Sequence, residues 1–195
     1  MVQSTGDMER AHEPQHRPIT VAEFNTMVET GIIAADERVE LVDGELIVIP
    51  PMNPPHASIV ARFVHVLLPR LSAVAVLWPQ LSVVTSEWSQ PQPDIGVMRP
   101  RPDFYSSALP RPDDMLAVVE VSDSSLAFDR GRKLVMYAKA SVPEYWVVDV
   151  DAATIEICRE PHELGYASRT VARRGETVSF AAFADVTFAV GELLG

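Results

Sequence analysis

The sequence predicts an α/β domain in which a mixed central β-sheet is flanked by helices, with an N-terminal helix and a β-hairpin. A strand at 116–121, a helix to about residue 140 and a strand from residue 145 form a β-α-β pattern. An Asp-Gly pair between two alternating apolar runs is the strongest short signal for a hairpin, and we expect this hairpin to join the central sheet. Apolar residues make up 47% of the 195 residues, which is enough for a well-buried core.

The N-terminal region divides into a polar segment and the start of the domain. Residues 1–18 are polar and show no hydrophobic period, so we predict a disordered tail. No later repeat or shift in composition marks a second domain, so residues 19–195 are predicted to form one domain. Thr20 and Glu23 match a capping box, which predicts a helix from this point to about Gly31.

The hairpin places two glutamates on one side of its strands. Around a two-residue turn at Asp43-Gly44, Val42 faces Glu45, and Glu40 faces Ile47. Glu40 and Glu45 are then diagonal neighbours within roughly 8 Å of each other. Either glutamate could instead be an ordinary solvent-facing residue, and the pattern does not choose between them.

The rest of the chain alternates between helical and extended patterns. The expected elements are a helix at 56–72, extended segments at 74–84 and 94–98, and strands at 144–150, 154–159, 166–171 and within 177–190. A loop at 99–115 is long for a compact domain. Its Arg99, Arg101 and Arg111 are candidates for phosphate contacts, although a solvated loop is the simpler interpretation.

Two carboxylates stand at the ends of apolar runs. Asp94 opens the run at 94–98, and Glu120 closes the run at 116–121. If the two strands are antiparallel neighbours, these carboxylates meet at one point. A buried carboxylate is costly unless it is paired or binds a metal, and hard cations prefer oxygen ligands. We therefore predict that Asp94 and Glu120, with the Val121 carbonyl, hold Mg²⁺ or Mn²⁺.

Such a group suits metal-dependent hydrolysis of phosphodiesters. The metal would lower the pKa of a bound water and stabilise charge on the phosphate. Lys133, on the helix after the Glu120 strand, would orient the water or stabilise the transition state. Glu40 or Glu45 would complete the ligand set or bind a second metal through water. These five residues, with Asp94 and Glu120 as the metal ligands, are the predicted catalytic group.

Structural alternatives exist for each of these residues. Asp94 after a proline is a common turn residue, and Glu120 could form a structural ion pair with an arginine. Lys133 could lie on the surface and pair with Asp129 four residues earlier on the helix.

The residues at the predicted site also carry a family resemblance. Pro93-Asp94 followed by Glu120-Val121-Ser122 resembles the PD-(D/E)xK nuclease signature, with Ser122 where lysine is usual. The longer pattern consists of residues 40–45, His56, residues 93–94, residues 120–122, Asp129-Arg130, Lys133, Tyr137-Ala138 and residues 142–149. This pattern resembles the Uma family of restriction-endonuclease-like proteins over about residues 18–160. The resemblance implies the restriction-endonuclease-like fold, with the lysine moved onto the following helix at Lys133.

Three residues of the pattern are weaker candidates for contacts with substrate. They are His56, Arg130 and Tyr137. His56 also fits a polar residue near a helix start, and Tyr137 also fits a core aromatic.

The charge of the chain bears on its partner. With 16 basic and 27 acidic residues, the net charge is −11, which repels nucleic acid on average. The predicted function is a metal-dependent endonuclease acting on nucleic acid, more readily DNA than RNA, through a local basic patch or bridging metal ions. The alternatives are a non-catalytic binding or regulatory module that keeps the fold, and a hydrolase of a small phosphorylated molecule.

The remaining predictions concern location and assembly. Cys158 is the only cysteine, so no intramolecular disulfide can form, which is typical of a reducing compartment. No apolar stretch has the length of a membrane span or a signal peptide, so we predict a cytoplasmic protein with no membrane partner. The aromatic strand at Tyr145-Trp146, taken as exposed, suggests a homodimer.

Overall fold

The computed structural model describes residues 16–34 and 36–195, so most of the predicted tail lies outside the described residues. Helix α1 (Val21–Glu29) begins at the predicted capping box. The Thr20 hydroxyl accepts a hydrogen bond from the Glu23 backbone N–H at 3.2 Å, and the Glu23 carboxylate accepts one from the Thr20 N–H at 2.9 Å. The predicted start of the domain's first helix is therefore confirmed.

The hairpin forms with the predicted register but does not join the central sheet. Strands β1 (Val39–Val42) and β2 (Glu45–Val48) make a separate two-stranded sheet. Among the described residues, β1 forms a β-bridge to the rest of the domain at Leu41–Gln90, where the N–H and C=O groups bond reciprocally at 2.8 and 3.4 Å. The next N–H that could continue this pairing is that of Gln92, and it donates instead to the Glu40 carboxylate at 3.0 Å, so the pairing with β1 ends there.

The centre of the molecule is a mixed sheet of six strands. In chain order they are β3 (Val76–Pro79), β4 (Ile95–Met98), β5 (Met115–Ser122), β6 (Glu144–Asp149), β7 (Thr154–His162) and β8 (Gly165–Arg173), which is also their order across the sheet. β5 and β6 are parallel, and the other neighbours are antiparallel. The predicted mixed sheet and β-α-β unit are confirmed.

Each face of the sheet carries its own apolar core. Helix α2 (Pro54–Leu71) covers one face with Phe63 and Leu67, together with a C-terminal segment. That segment comprises β9 (Thr177–Val178), β10 (Phe188–Ala189) and α5 (Val190–Leu194). The opposite face packs against Leu134 and Tyr137 of the helix that follows β5.

That helix differs from the uninterrupted α-helix that the sequence predicts. It consists of α3 (Leu126–Phe128), a π-helical turn at Asp129–Lys133, and α4 (Leu134–Lys139). A π-helical turn inserts an extra residue into the helical repeat and changes which side chains share a face. Asp129 and Lys133, the first and last residues of this turn, are both buried.

The prediction of a homodimer rested on exposed aromatic side chains at Tyr145 and Trp146, and both side chains are buried. Tyr145 and Trp146 are both 0% exposed, because β6 lies in the middle of the sheet between the two cores. Trp146 stacks on Phe180 and Tyr145 packs against Tyr137, so neither ring is available to a partner. Within residues 16–34 and 36–195, none of the helices combines the length and the apolar character needed to cross a membrane.

Candidate active site

The pairing of β4 with β5 brings Asp94 and Glu120 together. Ile95 pairs with Val119, so Asp94, one residue earlier, lies beside Glu120. The Asp94 N–H donates to Glu120 Oε2 at 3.2 Å, and the Val121 N–H donates to Asp94 Oδ2 at 2.8 Å. These two bonds hold the carboxylates side by side, in the arrangement that the antiparallel pairing predicted.

Lys133 reaches the same point from the helix. Its Nζ lies 3.1 Å from Glu120 Oε1 and 3.1 Å from Glu40 Oε1, and the residue is only 7% exposed. Burial disfavours the ammonium, but attraction by the Glu120, Glu40 and Asp129 carboxylates outweighs it and raises the pKa of Lys133 above its usual range. The site therefore contains a fixed positive charge between two glutamates.

Asp129 is not the partner of Lys133 that helical spacing suggested. Its carboxylate instead accepts hydrogen bonds from the hydroxyls of Ser122, at 2.8 Å, and Ser125. Ser122, where the nuclease signature usually has lysine, thus fixes the first residue of the π-helical turn. The π-helical turn also contains Lys133, whose side chain lies in the site.

Glu120 is more deeply buried than Asp94. It is 3% exposed, and the Tyr137 hydroxyl donates to its Oε1 at 3.1 Å. Burial raises the pKa of Glu120 well above its usual range, Lys133 opposes this, and the Asp94 carboxylate adds to it. An additional cation at this point would favour the ionised carboxylate.

The two hairpin glutamates occupy different environments. Glu40 is 2% exposed and uses both oxygens, since Oε2 accepts the Gln92 N–H at 3.0 Å and Oε1 faces Lys133. Glu45 has a 63% exposed side chain and pairs with Arg132 at 2.6 Å, outside the pocket. Tertiary contacts thus place Glu40 in the site and Glu45 on the surface.

His56 contacts the same Asp94 oxygen as the Val121 N–H. Its Nε2 lies 3.1 Å from Asp94 Oδ2, and both side chains are 15% exposed. The hydrogen bond with Asp94 raises the pKa of His56, against the effect of burial. His56 lies in the first turn of α2, where its N–H donates to the side chain of the N-cap residue Asn53 at 3.1 Å.

The other predicted substrate contacts lie away from the pocket. Arg130 pairs with Glu156 at 2.8 Å and with Asp149 at 3.3 Å. Tyr137 is fully buried, and its hydroxyl is bonded to Glu120, so it supports that carboxylate from within the core. Neither side chain lines the pocket. The π-helical turn separates the face of Arg130 from that of Lys133, and Tyr137 lies in the core.

The arginines of the 99–115 loop also lie elsewhere. Arg99 follows the end of β4 and Arg111 precedes the start of β5, whereas the site lies at the opposite ends of these strands. Arg101 pairs with Asp103 at 2.8 Å within the loop. The loop therefore does not supply phosphate contacts to the Asp94–Glu120 site.

The site opens into a pocket of about 320 Å³. Its lining includes residues that sequence reasoning missed: Arg38, Asn53, Gln80, Gln92, Asp123 and Asp129. Asn53 was the easiest of these to find, since Asn before Pro54-Pro55 is a typical helix N-cap followed by Pro at N1. The Asn53 side chain also donates to Asp123, which links the start of α2 to the loop after β5.

The donors at this point suit a hard cation with few protein ligands. Among the described residues, no three His, Cys, Asp or Glu side chains are grouped to hold a metal. Asp94, Glu120 and Val121 line one pocket that has room for water. Mg²⁺ is usually bound through one or two carboxylates and keeps several waters, so this donor set fits Mg²⁺ or Mn²⁺ and not a metal that needs a full protein cage.

Comparisons with known proteins agree with the fold. A crystal structure of a "putative nuclease belonging to DUF820" from Anabaena variabilis aligns with a TM-score of 0.69 at 18% identity, over 91% of this chain and 98% of that one. No curated protein matches the chain significantly. The model of the Uma2 family, described as "Putative restriction endonuclease", matches residues 21–191. The chain, with its mixed sheet and its carboxylate–lysine site, therefore belongs to the Uma2 family.

Proposed function

We propose that this protein is a Mg²⁺- or Mn²⁺-dependent nuclease that hydrolyses phosphodiester bonds of nucleic acid, DNA more readily than RNA. The observation that carries the proposal is the contact of one buried carboxylate, Glu120, with both the Asp94 backbone and the Lys133 ammonium in an open pocket. Family membership supports a nuclease-like function in general terms.

We further propose that the protein acts in the cytoplasm, as expected for a chain with one buried cysteine.

The metal would be held by Asp94, Glu120 and the Val121 carbonyl. When bound, it would supply an activated water and stabilise charge on the phosphate. Asp94 is suited to this role because His56 and the Val121 N–H occupy its Oδ2, whereas no hydrogen bond among the described residues uses its Oδ1. His56 is thus proposed to orient Asp94 rather than to contact substrate.

Lys133 is proposed to stabilise the negative charge that develops on the phosphate or to orient the attacking water. Glu40 is proposed to hold the Lys133 ammonium, because it bonds Lys133 and the Gln92 N–H, whereas Glu120 is the carboxylate held directly beside Asp94. Glu120 is then available to bind the metal, while Glu40 holds Lys133 in place. This role differs from the metal-binding role that the sequence suggested for Glu40.

The proposal is tested by incubating plasmid DNA and RNA with the purified protein in Mg²⁺, Mn²⁺ or EDTA. We expect metal-dependent nicking, and a loss of about 100-fold or more in Asp94→Asn, Glu120→Gln and Lys133→Met. Glu45→Gln is the matched control, because Glu45 lies outside the pocket, and it should keep the parent's activity. If Asp94→Asn and Lys133→Met cleave as fast as the parent, the site assignment is wrong.

A second candidate function follows from the charge of the pocket. Its lining holds five carboxylates against Arg38, His56 and Lys133, which disfavours a long polyanion more than a small phosphorylated molecule. Assays of phosphate release from nucleotides and simple phosphodiesters, run beside the nicking assay, distinguish the two. Turnover of the small substrates alone would favour this second function.

A further inference from the structure

The depth of the site limits which form of nucleic acid can reach it. Glu40, Glu120 and Lys133 are 2%, 3% and 7% exposed, so the scissile phosphate must enter the pocket to meet them. The pocket volume of about 320 Å³ is at the lower end of the roughly 300–1,000 Å³ found for ligand pockets. There is room for a short nucleotide segment, and the site does not present a broad surface.

Part of the wall of this pocket is apolar. One wall consists of the apolar residues 47–52, in which Val48 is 69% and Met52 is 42% exposed. Exposed apolar side chains beside a catalytic pocket can pack against the faces of unstacked bases. In a continuous duplex the base faces are stacked on each other and are not available for such contacts.

The walls are also connected to each other. The Asn53 side chain, at the start of α2, donates to the Asp123 carboxylate in the loop after β5. Both residues line the pocket, so this link ties two of its walls together beside His56 and Asp94. A duplex is stiff, with a persistence length of about 150 base pairs, and cannot bend one phosphate sharply into such a recess. An unpaired strand can turn single nucleotides inward.

The charge of the pocket and of the whole chain also disfavours a duplex. The lining is acidic and the chain carries a net charge of −11. Duplex DNA has a higher charge density than a single strand and meets more repulsion from such a surface. We therefore infer that the segment bound and cleaved here is unpaired nucleic acid, a single strand or a flap, and not continuous duplex. This inference rests on the proposed nuclease function for cleavage, but its binding part can be tested alone.

The test uses three labelled DNAs of one sequence: a single strand, a blunt duplex, and a duplex with an unpaired flap. In Mn²⁺ we expect the single strand and flap to be cleaved at least about tenfold faster than the duplex, with cuts in the unpaired part, since pairing and stacking must otherwise be broken. In Ca²⁺, fluorescence anisotropy should show tighter binding of the single strand. Duplex cleaved or bound as well as the single strand would overturn the inference.

Wall variants test whether the apolar side chains carry this preference. Val48→Ser and Met52→Ser should each weaken single-strand binding about fivefold, which corresponds to roughly 1 kcal/mol of apolar contact. Leu164→Ser is the control, because Leu164 is 81% exposed and lies outside this pocket, at the β7–β8 turn. Wall variants that bind like the control would contradict the inference. If no DNA is cleaved, the nuclease proposal fails, and the anisotropy comparison alone decides the binding preference.

Discussion

Lys133 is the buried cation of the pocket. A buried ammonium is stable only when opposite charges compensate its lost hydration, and here Glu40 and Glu120 each lie 3.1 Å from it. Three ionisable groups in so small a volume form a coupled unit, so removing one member changes the environment of the others. Substitutions that keep the shape of a side chain and remove its charge therefore distinguish best between the roles of Lys133, Glu40 and Glu120.

The role proposed for Glu40, to hold the Lys133 ammonium, leads to a prediction about Glu40→Gln. We expect kcat to fall about tenfold, the effect of roughly 1.4 kcal/mol on the barrier, because the Lys133 ammonium is held less firmly. The affinity for Mn²⁺, measured by titration calorimetry, should stay at the parent value, whereas Glu120→Gln should weaken it. An equal loss of Mn²⁺ affinity in both variants would mean that Glu40 is a metal ligand.

Cys158 gives a prediction that is independent of catalysis. The residue is fully buried in β7, and burial, with help from the Glu156 carboxylate, raises the pKa of its thiol to about 12. Since the thiolate is the reactive form, iodoacetamide at about pH 8 should not label the native protein. Mass spectrometry should detect the label only after denaturant is added. Rapid labelling of the native protein would contradict this placement of the cysteine.

At the scale of elements, the hairpin turn is the most sharply determined local structure. Asp43 and Gly44 have φ values of 50° and 78°, which a type I′ turn requires and which glycine adopts without strain. Gly44 also lies against Pro18, where an added Cβ would collide with the proline ring. The turn sets the register of β1 and β2, and that register directs Glu40 toward Lys133.

The Gly44→Ala variant tests this turn. We expect it to lower the free energy of unfolding by at least about 1 kcal/mol, through backbone strain and the clash with Pro18. Gly131→Ala is the matched control, because no atom lies within 4 Å of its added Cβ, and it should be neutral or stabilising by up to about 1 kcal/mol. Urea unfolding of the three proteins measures both effects. A Gly44→Ala protein as stable as the parent would show that the turn is not so constrained.

The π-helical turn at Asp129–Lys133 is the element that sequence patterns did not reveal. A regular helix would put Arg130 and Lys133 on one face, but here Arg130 pairs with Asp149 and Glu156 while Lys133 enters the pocket. Such a turn is favoured when buried side-chain bonds compensate for its backbone geometry. Ser122 and Ser125 provide those bonds to the Asp129 carboxylate, and both lie on the chain before the helix.

At the scale of the whole molecule, the fold brings five carboxylates from distant parts of the chain into one pocket, where a cation would relieve their repulsion. Binding of Mn²⁺ to the native state alone should therefore stabilise the fold by mass action. At a concentration of about 100 times Kd the gain is about 2.7 kcal/mol, or a rise in Tm of roughly 5 to 10 °C for a domain of this size. Thermal unfolding with and without Mn²⁺ measures it.

The matched control for this measurement is Glu120→Gln, which should show a much smaller rise in Tm than the parent. No Mn²⁺ effect on the parent, together with a Glu120→Gln variant more stable than the parent, would favour the non-catalytic binding module over the nuclease. Such a result would mean that the carboxylates are under charge strain with no cation to relieve it.

The sequence by itself determined the elements and the main pair of the site. The capping box at Thr20, the hairpin register and the convergence of Asp94 with Glu120 all follow from local patterns and from strand pairing. Glu120 was identifiable because a charge within an apolar strand requires a partner. Lys133 was found through resemblance to a family pattern, since helical spacing alone left its direction open.

Only the tertiary structure decided how the other charged and aromatic residues are used. Glu40 and Glu45 are equivalent in the sequence pattern, but packing buries one against Lys133 and leaves the other exposed with Arg132. Tyr145, expected at the surface, lies in the core because β6 has strands on both sides. Such outcomes depend on contacts between residues far apart in the chain, and no local period encodes them.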